Sequence, residues 1–364
     1  MLWRRDIPVY LGDTVPLPFG VRSRYFDGSL VHPNPYFHEE FVETLVRWLE
    51  EGETCVLFPA STDTVSVISA YLGRIQAVTE CLVPCFDTLM MAVDRLEILR
   101  IARGAGIPVP ETRPLTDPGD VEVFPAIAKP RYETGGAAGL RLLRDGEDAV
   151  KALELEENFG PMILQEYVPG PSTQMRGCNL LYNARGEPRA VFTMSKIREH
   201  KSTGGITLSA VSTRDAVVAD QAKRLLGSID WRGLAEVEFK VDPRDGEAKL
   251  MEINPRFWAY LEFPVRCGVD FPYLYYRLCT GEEFDPVDEY RTGVGYANLR
   301  RKPSRIPLSY LSAPRKNGLV IDLPDPRGVG WFWMLMLRIR RHLRGVDTRR
   351  GKALRHVMEG KGVG

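Results

Sequence analysis

The chain has 364 residues, 44% hydrophobic and 26% charged, with 48 basic side chains against 48 acidic ones. That balance gives no electrostatic reason to expect nucleic acid, and the length allows two or three domains with real cores. Six scattered cysteines form no Cys-x-x-Cys pair, which excludes a zinc framework and a dense disulfide scaffold. No apolar run reaches 18 residues, and the opening MLWRRDIPVY lacks the apolar segment of a secretory signal. A cytoplasmic protein is the expectation.

Taken in order, residues 1–110 read as a small α/β unit. HEEFVETLVRWLEE, His38 to Glu51, has helical spacing of apolar positions. CVLFPAS follows as a short buried strand, then a helix beginning near Thr62 or Asp63. Asp63 suits a helix cap and the mouth of a pocket equally well. A third helix, Asp94 to Ala105, ends at Gly106 before Pro108 and Pro110.

A second unit, 111–190, opens with AIAKP, Ala126 to Pro130, a strand ending at Lys129. A glycine-rich turn, Thr134 to Gly139, leads into a further strand, GLRLL. Strand–turn–strand is not the strand–turn–helix order of dinucleotide or Walker-type sites. Asp145 to Asn158 reads as a helix and MILQEYVPG as a strand with its exit.

In the third unit, 191–285, RAVFTMSKIREH and GGITLSAVS are strand candidates and Asp215 to Leu226 a helix. Strict alternation would put Lys196, Arg198 and His200 on one strand face, either solvated or lining a cleft. LAEVEFKVDPRDGEAKLMEINPR reads as a hairpin turning at Arg244 and Asp245. Such a turn brings Glu238 and Glu252 close across the ladder. With Asn254 they offer oxygen ligands for one or two hard cations. Two surface glutamates on a hairpin are the bland alternative. Cys267 has no sequence-readable histidine partner and reads as a packing thiol. Arg266 and Asp270 read either as a helix-surface pair or as part of a substrate pocket.

Residues 286–364 form a basic and aromatic extension. WFWMLML, Trp331 to Leu337, is followed by the basic stretch RIRRHLRG. The span 331–356 suits packing against the chain itself, a homodimer contact or a peripheral membrane contact. It lacks the interleaved aromatics of a base-binding platform.

Lys129, the glycine-rich turn, QEYVPG and MEINPRFW stand in one order that resembles the ATP-grasp superfamily. The branch is that of carbamoyl-phosphate synthase domains and carboxylate–amine ligases. The resemblance runs from Pro59 to Thr280. It implies an α/β and α+β ATP-grasp fold with a shortened N-terminal α/β domain. It also implies an ATP- and magnesium-dependent ligase, with manganese as a substitute metal, joining a small carboxylate to an amine through an acyl phosphate. Activation of bicarbonate or carbamate, and a noncatalytic ATP-binding scaffold, are the rival readings.

Residue by residue, Lys129 resembles the lysine that reaches ATP phosphates. Thr134, Gly135, Gly136 and Gly139 belong to what looks like the phosphate-covering turn. Gln165, Glu166, Tyr167 and Val168 resemble the hinge beside adenine. Glu238, Glu252 and Asn254 resemble the magnesium ligands, and Arg256 the arginine that steadies a phosphate or acyl-phosphate oxyanion. Arg198, with Gly204 and Gly205, falls in a segment that lines the acceptor or phosphate side. The chain departs from the pattern in carrying Asp94-Arg95 where Asp-Lys is usual, so Arg95 becomes the expected nucleotide contact. GPSTQM shows no acidic ribose contact, and the segment before SRYF is short.

Overall fold

The computed structural model describes residues 2–15, 25–52, 56–132, 139–201, 204–299 and 317–322. The turn 133–138 and everything after 322 therefore lie outside the described residues, including Thr134, Gly135, Gly136 and the stretch 331–356.

The N-terminal part begins with two short parallel strands, β1 (Tyr10–Asp13) and β2 (Gly28–Val31). Five helices follow: α1 (His38–Glu51), α2 (Thr62–Ala70), α3 (Leu72–Gln76), α4 (Phe86–Val93) and α5 (Arg95–Gly104). Helix α1 buries Phe41, Val42, Leu45 and Leu49, the stripe its spacing anticipates. Ser61, not Asp63, caps α2, because its hydroxyl accepts from the Thr64 N–H. CVLFPAS forms no strand among the described residues; Val56 makes only a single bridge to Glu80. Asp94 caps α5 by accepting from the Leu96 and Glu97 N–H groups.

A four-stranded antiparallel sheet comes next, in the order β3 (Thr112–Leu115), β6 (Met162–Glu166), β4 (Ala126–Pro130), β5 (Arg141–Leu143). Helices α6 (Gly146–Leu153) and α7 (Glu156–Phe159) divide the stretch expected as one helix. Ala126, Ala128, Leu143, Leu164, Ala149 and Ala152 make a small separate core between this sheet and α6. Strands β4 and β5 flank the glycine-rich turn as the sequence order requires. At its exit a Cβ on Gly139 would sit 2.5 Å from Pro130 Cγ, so only glycine lets the chain pass that close to β4.

The seven-stranded sheet has the order β11 (Ala248–Asn254), β10 (Gly233–Val241), β7 (Met175–Tyr182), β8 (Pro188–Lys201), β9 (Gly204–Thr213), β12 (Gly295–Asn298), β13 (Leu319–Asp322). Helix α8 (Ala216–Ser228) and the N-terminal helices cover one face, burying Ala235, Val237, Phe239 and Leu250. Helices α9 (Glu262–Cys267) and α10 (Phe271–Cys279) cover part of the other, with Leu181, Phe192 and Leu234. The N-terminal helices thus share a core with the large sheet, whereas the four-stranded sheet has its own.

Candidate functional site

The site is set by a defect in one strand. In the β10–β11 ladder Glu238 faces Glu252, but the next pair is Phe239 with Leu250, so Met251 is an extra residue in β11. Perfect alternation would send Leu250, Glu252 and Asn254 to one face. The bulge changes the phase. Leu250 and Ile253 enter the core beneath the N-terminal helices, while Glu252 and Asn254 leave it. Glu236, Glu238, Glu252 and Asn254 thereby share the polar face, as the hairpin reading expects.

Cations from three other segments converge there. Arg95, at the start of α5, donates to the carbonyls of Pro130 and Tyr132 and pairs with Glu252 Oε2 at 2.9 Å. Lys129 reaches across from β4 and donates to the Met251 carbonyl at 3.4 Å. Lys196 of β8 pairs with Glu238 Oε2 at 2.8 Å and with Glu199 Oε1 at 3.1 Å. Below them Tyr260 Oη donates to Glu236 Oε1 and shares hydrogen bonds with Asn179. Arg256 donates to Asn254 Oδ1 at 3.0 Å and to Thr62 Oγ1 at 3.2 Å, tying the signature to the first residue of α2.

Burial tunes these groups in opposite directions. Desolvation, with Arg95 close by, holds the Lys129 ammonium down at about 7. Glu238 is pushed up to about 8, chiefly by desolvation, with Glu236, Glu252 and Glu199 adding like charge against Lys196. Burial opposes ionisation of Glu252 as well, but Arg95 and Lys129 outweigh it and hold that carboxyl at about 2. Glu238 thus lies among three other carboxylates, with Lys196 as its paired cation. Hard oxygen donors in such a place fit a magnesium ion, with Glu238, Glu252 and Asn254 as its holders. Among the described residues no group of three or more His, Cys, Asp or Glu is arranged as a metal cage. The fit is therefore to a metal that takes its remaining ligands from nucleotide phosphates and water.

The hinge lies at the end of β6. Gln165 is directly opposite Thr112 and Ile127, on the sheet face away from the small core. It is buried, and its Nε2 donates to Thr112 Oγ1 at 3.0 Å. Its Oε1 has no hydrogen-bond partner. A buried acceptor left open beside a cleft fits the amino group of a nucleobase. Glu166 is engaged otherwise: it pairs with Arg244 and accepts from the Glu111 N–H at 3.2 Å. Lys240 donates to the Val168 carbonyl at 2.7 Å and lies over the Tyr167 ring.

Several expected residues stand elsewhere. Lys196 and Arg198 do not share a face. Register shifts between Lys196 and Arg198, and again on either side of Glu199, bury Lys196 and Glu199 and leave Arg198 exposed. Lys196 is thus the member of the expected face that lies in the site, and Glu199 the one that strict alternation misses. Arg266 makes an i,i+4 surface pair with Glu262, and Asp270 caps α10 and pairs with Arg5. Cys267 is buried and its thiol pushed up to about 11 by desolvation, a packing thiol rather than a nucleophile. Among the described residues no helix is long and apolar enough to cross a membrane.

No protein-family model matches the chain. It is 23% identical over 265 residues to a D-aspartate ligase of Enterococcus faecium, covering 64% of this chain and 62% of that protein. It is 25% identical over 227 residues to a D-alanine–D-alanine ligase of Methylococcus capsulatus, covering 57% and 73%. Among solved structures it superposes with TM-score 0.64 on the biotin carboxylase domain of Hydrogenobacter thermophilus 2-oxoglutarate carboxylase. That match is 16% identical and covers 80% of this chain and 69% of the other, which was solved with magnesium ADP and bicarbonate. The chain spans less than two thirds of the D-aspartate ligase it matches. With the glycine-turn sheet, the carboxylate hairpin and the hinge in their places, the chain has the ATP-grasp fold and is similar in sequence to that superfamily's carboxylate–amine ligases.

Proposed function

We propose that the protein is an ATP- and magnesium-dependent carboxylate–amine ligase. One observation carries the reading: Glu238 and Glu252 face each other on adjacent strands while Arg95, Lys129 and Lys196 converge on them from three separate segments. A binding scaffold needs less phosphate-directed charge than this. The ligases among the sequence relatives favour carbon–nitrogen bond formation over other uses of the fold.

In this reading an oxygen of the substrate carboxylate attacks the γ-phosphorus of ATP, and ADP leaves. The amine nitrogen then attacks the acyl carbon, phosphate leaves, and the amine gives up a proton. Glu238, Glu252 and Asn254 hold magnesium, which offsets charge on the transferring phosphoryl group when bound. Lys129 and Arg95 meet the phosphates from the opposite side of the cleft. Arg256, steadied by Asn254 and Thr62, faces the acyl-phosphate oxyanion. Gln165 Oε1 accepts from the adenine amino group.

The test is magnesium-dependent ADP release against pooled carboxylates and amines, with Glu252→Gln alongside. Release that needs one member of each pool, and falls about 100-fold or more in E252Q, is the expected result. Release with bicarbonate alone would replace ligation by bicarbonate activation. Tight ATP binding without turnover in any pool would favour the scaffold.

A further inference from the structure

A cavity of about 290 Å³ lies beside β13, at the end of the large sheet away from the carboxylate hairpin. Strands β11 and β13 are the first and last of the seven, so six spacings of ~4.8 Å put roughly 29 Å between β13 and the strand of Glu252. No residue of the hairpin or the hinge lines it.

One side of the cavity is apolar. Val294, just ahead of β12, and Leu319 and Ile321 of β13 supply it, and Ile321 is 43% exposed. The polar side has three groups, each already anchored at one end. Glu262 spends Oε1 on Arg266 Nε at 2.6 Å. Asn317 spends Nδ2 on the Thr292 carbonyl. Arg291 donates through Nη2 to the Arg266 carbonyl and forms no ion pair with a described residue. Glu262 Oε2, Asn317 Oδ1 and the other guanidinium N–H groups of Arg291 are thus left without a partner among the described residues. The anchoring bonds hold these three side chains in place, so little ordering is left for a ligand to supply.

The signs of these groups select a ligand. A plain anion would meet Glu262, and a plain cation would meet Arg291. A neutral apolar molecule would desolvate all three groups and pair none. A molecule with one carboxylate, one ammonium and an apolar body suits every wall. The volume is roughly ten times the ~30 Å³ share of one liquid water, room for about ten non-hydrogen atoms. We infer that this cavity binds a small apolar α-amino acid. Its carboxylate lies on Arg291, which can grip it with two N–H groups. Its ammonium donates to Glu262 Oε2 and Asn317 Oδ1, and its side chain covers Val294, Leu319 and Ile321. The site is separate from the ATP cleft and needs no nucleotide.

The probe is L-leucine, measured by equilibrium dialysis against the full chain without nucleotide. Leucinamide, which lacks the carboxylate, and 4-methylpentanoate, which lacks the ammonium, are the competitors. Leucine is expected to bind saturably with a Kd of about 1 mM or tighter, and each competitor at least about tenfold more weakly. Arg291→Met should weaken leucine and bring leucinamide level with it. Ile321→Asp, at an exposed position, should weaken leucine about tenfold without touching Arg291 or Glu262. The absence of saturable leucine binding would overturn the inference. So would 4-methylpentanoate binding as well as leucine, since no ammonium would then be read; neither result depends on a variant folding. Leucine binding unchanged in both R291M and I321D would place the amino acid elsewhere and overturn it too.

Discussion

The four-stranded and seven-stranded sheets are built to different standards. The seven-stranded sheet is buried on both faces around the site and shares a core with the N-terminal helices. Within it Lys196 is paired with Glu238 and Glu199 of the same sheet. The four-stranded sheet has a small core of its own. It meets the rest largely through polar links: Lys129 to Met251, Arg95 to Pro130, Arg131 to Asp94 and Arg244 to Glu166. Polar links can be exchanged for bonds to a ligand, whereas a shared apolar core cannot. The carboxylates of β10 and β11 thus stand on a sheet with a shared apolar core, whereas Lys129 comes from a sheet joined to it by polar links.

That contrast can be broken. Phe239→Ala, in the shared core, should cost about 3–5 kcal/mol and lower the denaturant midpoint of the whole chain. Leu143→Ala, in the small core, should cost about 2–3 kcal/mol, with the loss of amide-exchange protection confined to β3–β6. Exchange that rises equally in β10 would mean the two sheets unfold as one body.

The pH dependence sharpens it. Lys129 has a folded value of about 7 against about 10.4 in an unfolded chain, so between those values the unfolded state holds the extra proton. Its contribution therefore favours folding increasingly as pH rises through that window. Glu238 works the other way. Its folded value of about 8 lies above the unfolded ~4.3, so its contribution is present below that lower value and fades as pH rises through 8. Above pH 8 only the lysine effect remains of the two. The stability difference between wild type and Lys129→Met should change by up to about 2 kcal/mol between pH 8 and 10, the wild type gaining. A difference independent of pH would show that Lys129 is not desolvated as described. The smallest effect is expected of Arg103→Ala: an exposed pair to Glu111 ahead of β3, worth no more than about 1 kcal/mol in thermal melts.

How far this was legible in the sequence depends on whether a residue's place follows from local pattern. The Asp-Pro-Arg-Asp-Gly turn is local and brings Glu238 near Glu252, but its register alone would pair Glu238 with Met251; the bulge at Met251 makes the two glutamates directly opposite. Asp94 as a helix cap and the strand–turn–strand order around Gly139 are local too. Lys196 was named among three candidates for one strand face, but Glu199 was hidden and Arg198 misplaced because irregularities in β8 overrule period-two alternation. The same applies to Met251, whose insertion alone separates Glu252 from the core-facing parity of Leu250. Ser61 took the cap expected near Asp63 because a helix start is uncertain by a residue or two. Gln165 was placed in the hinge by resemblance; its open oxygen is visible only once Thr112 is seen to occupy its amide nitrogen.

One tyrosine on α10 bears on the order in which the molecule is made. Tyr275 is buried, and its hydroxyl donates to the Leu57 carbonyl at 3.1 Å and accepts from the Leu82 N–H at 2.9 Å. These partners lie 218 and 193 positions earlier in the chain. On the ribosome the segment from Leu57 to Leu82 is synthesised long before the group that completes its hydrogen bonding. Closing so long a loop is an entropic cost met late, which sets a slow step at the end of translation rather than at its start.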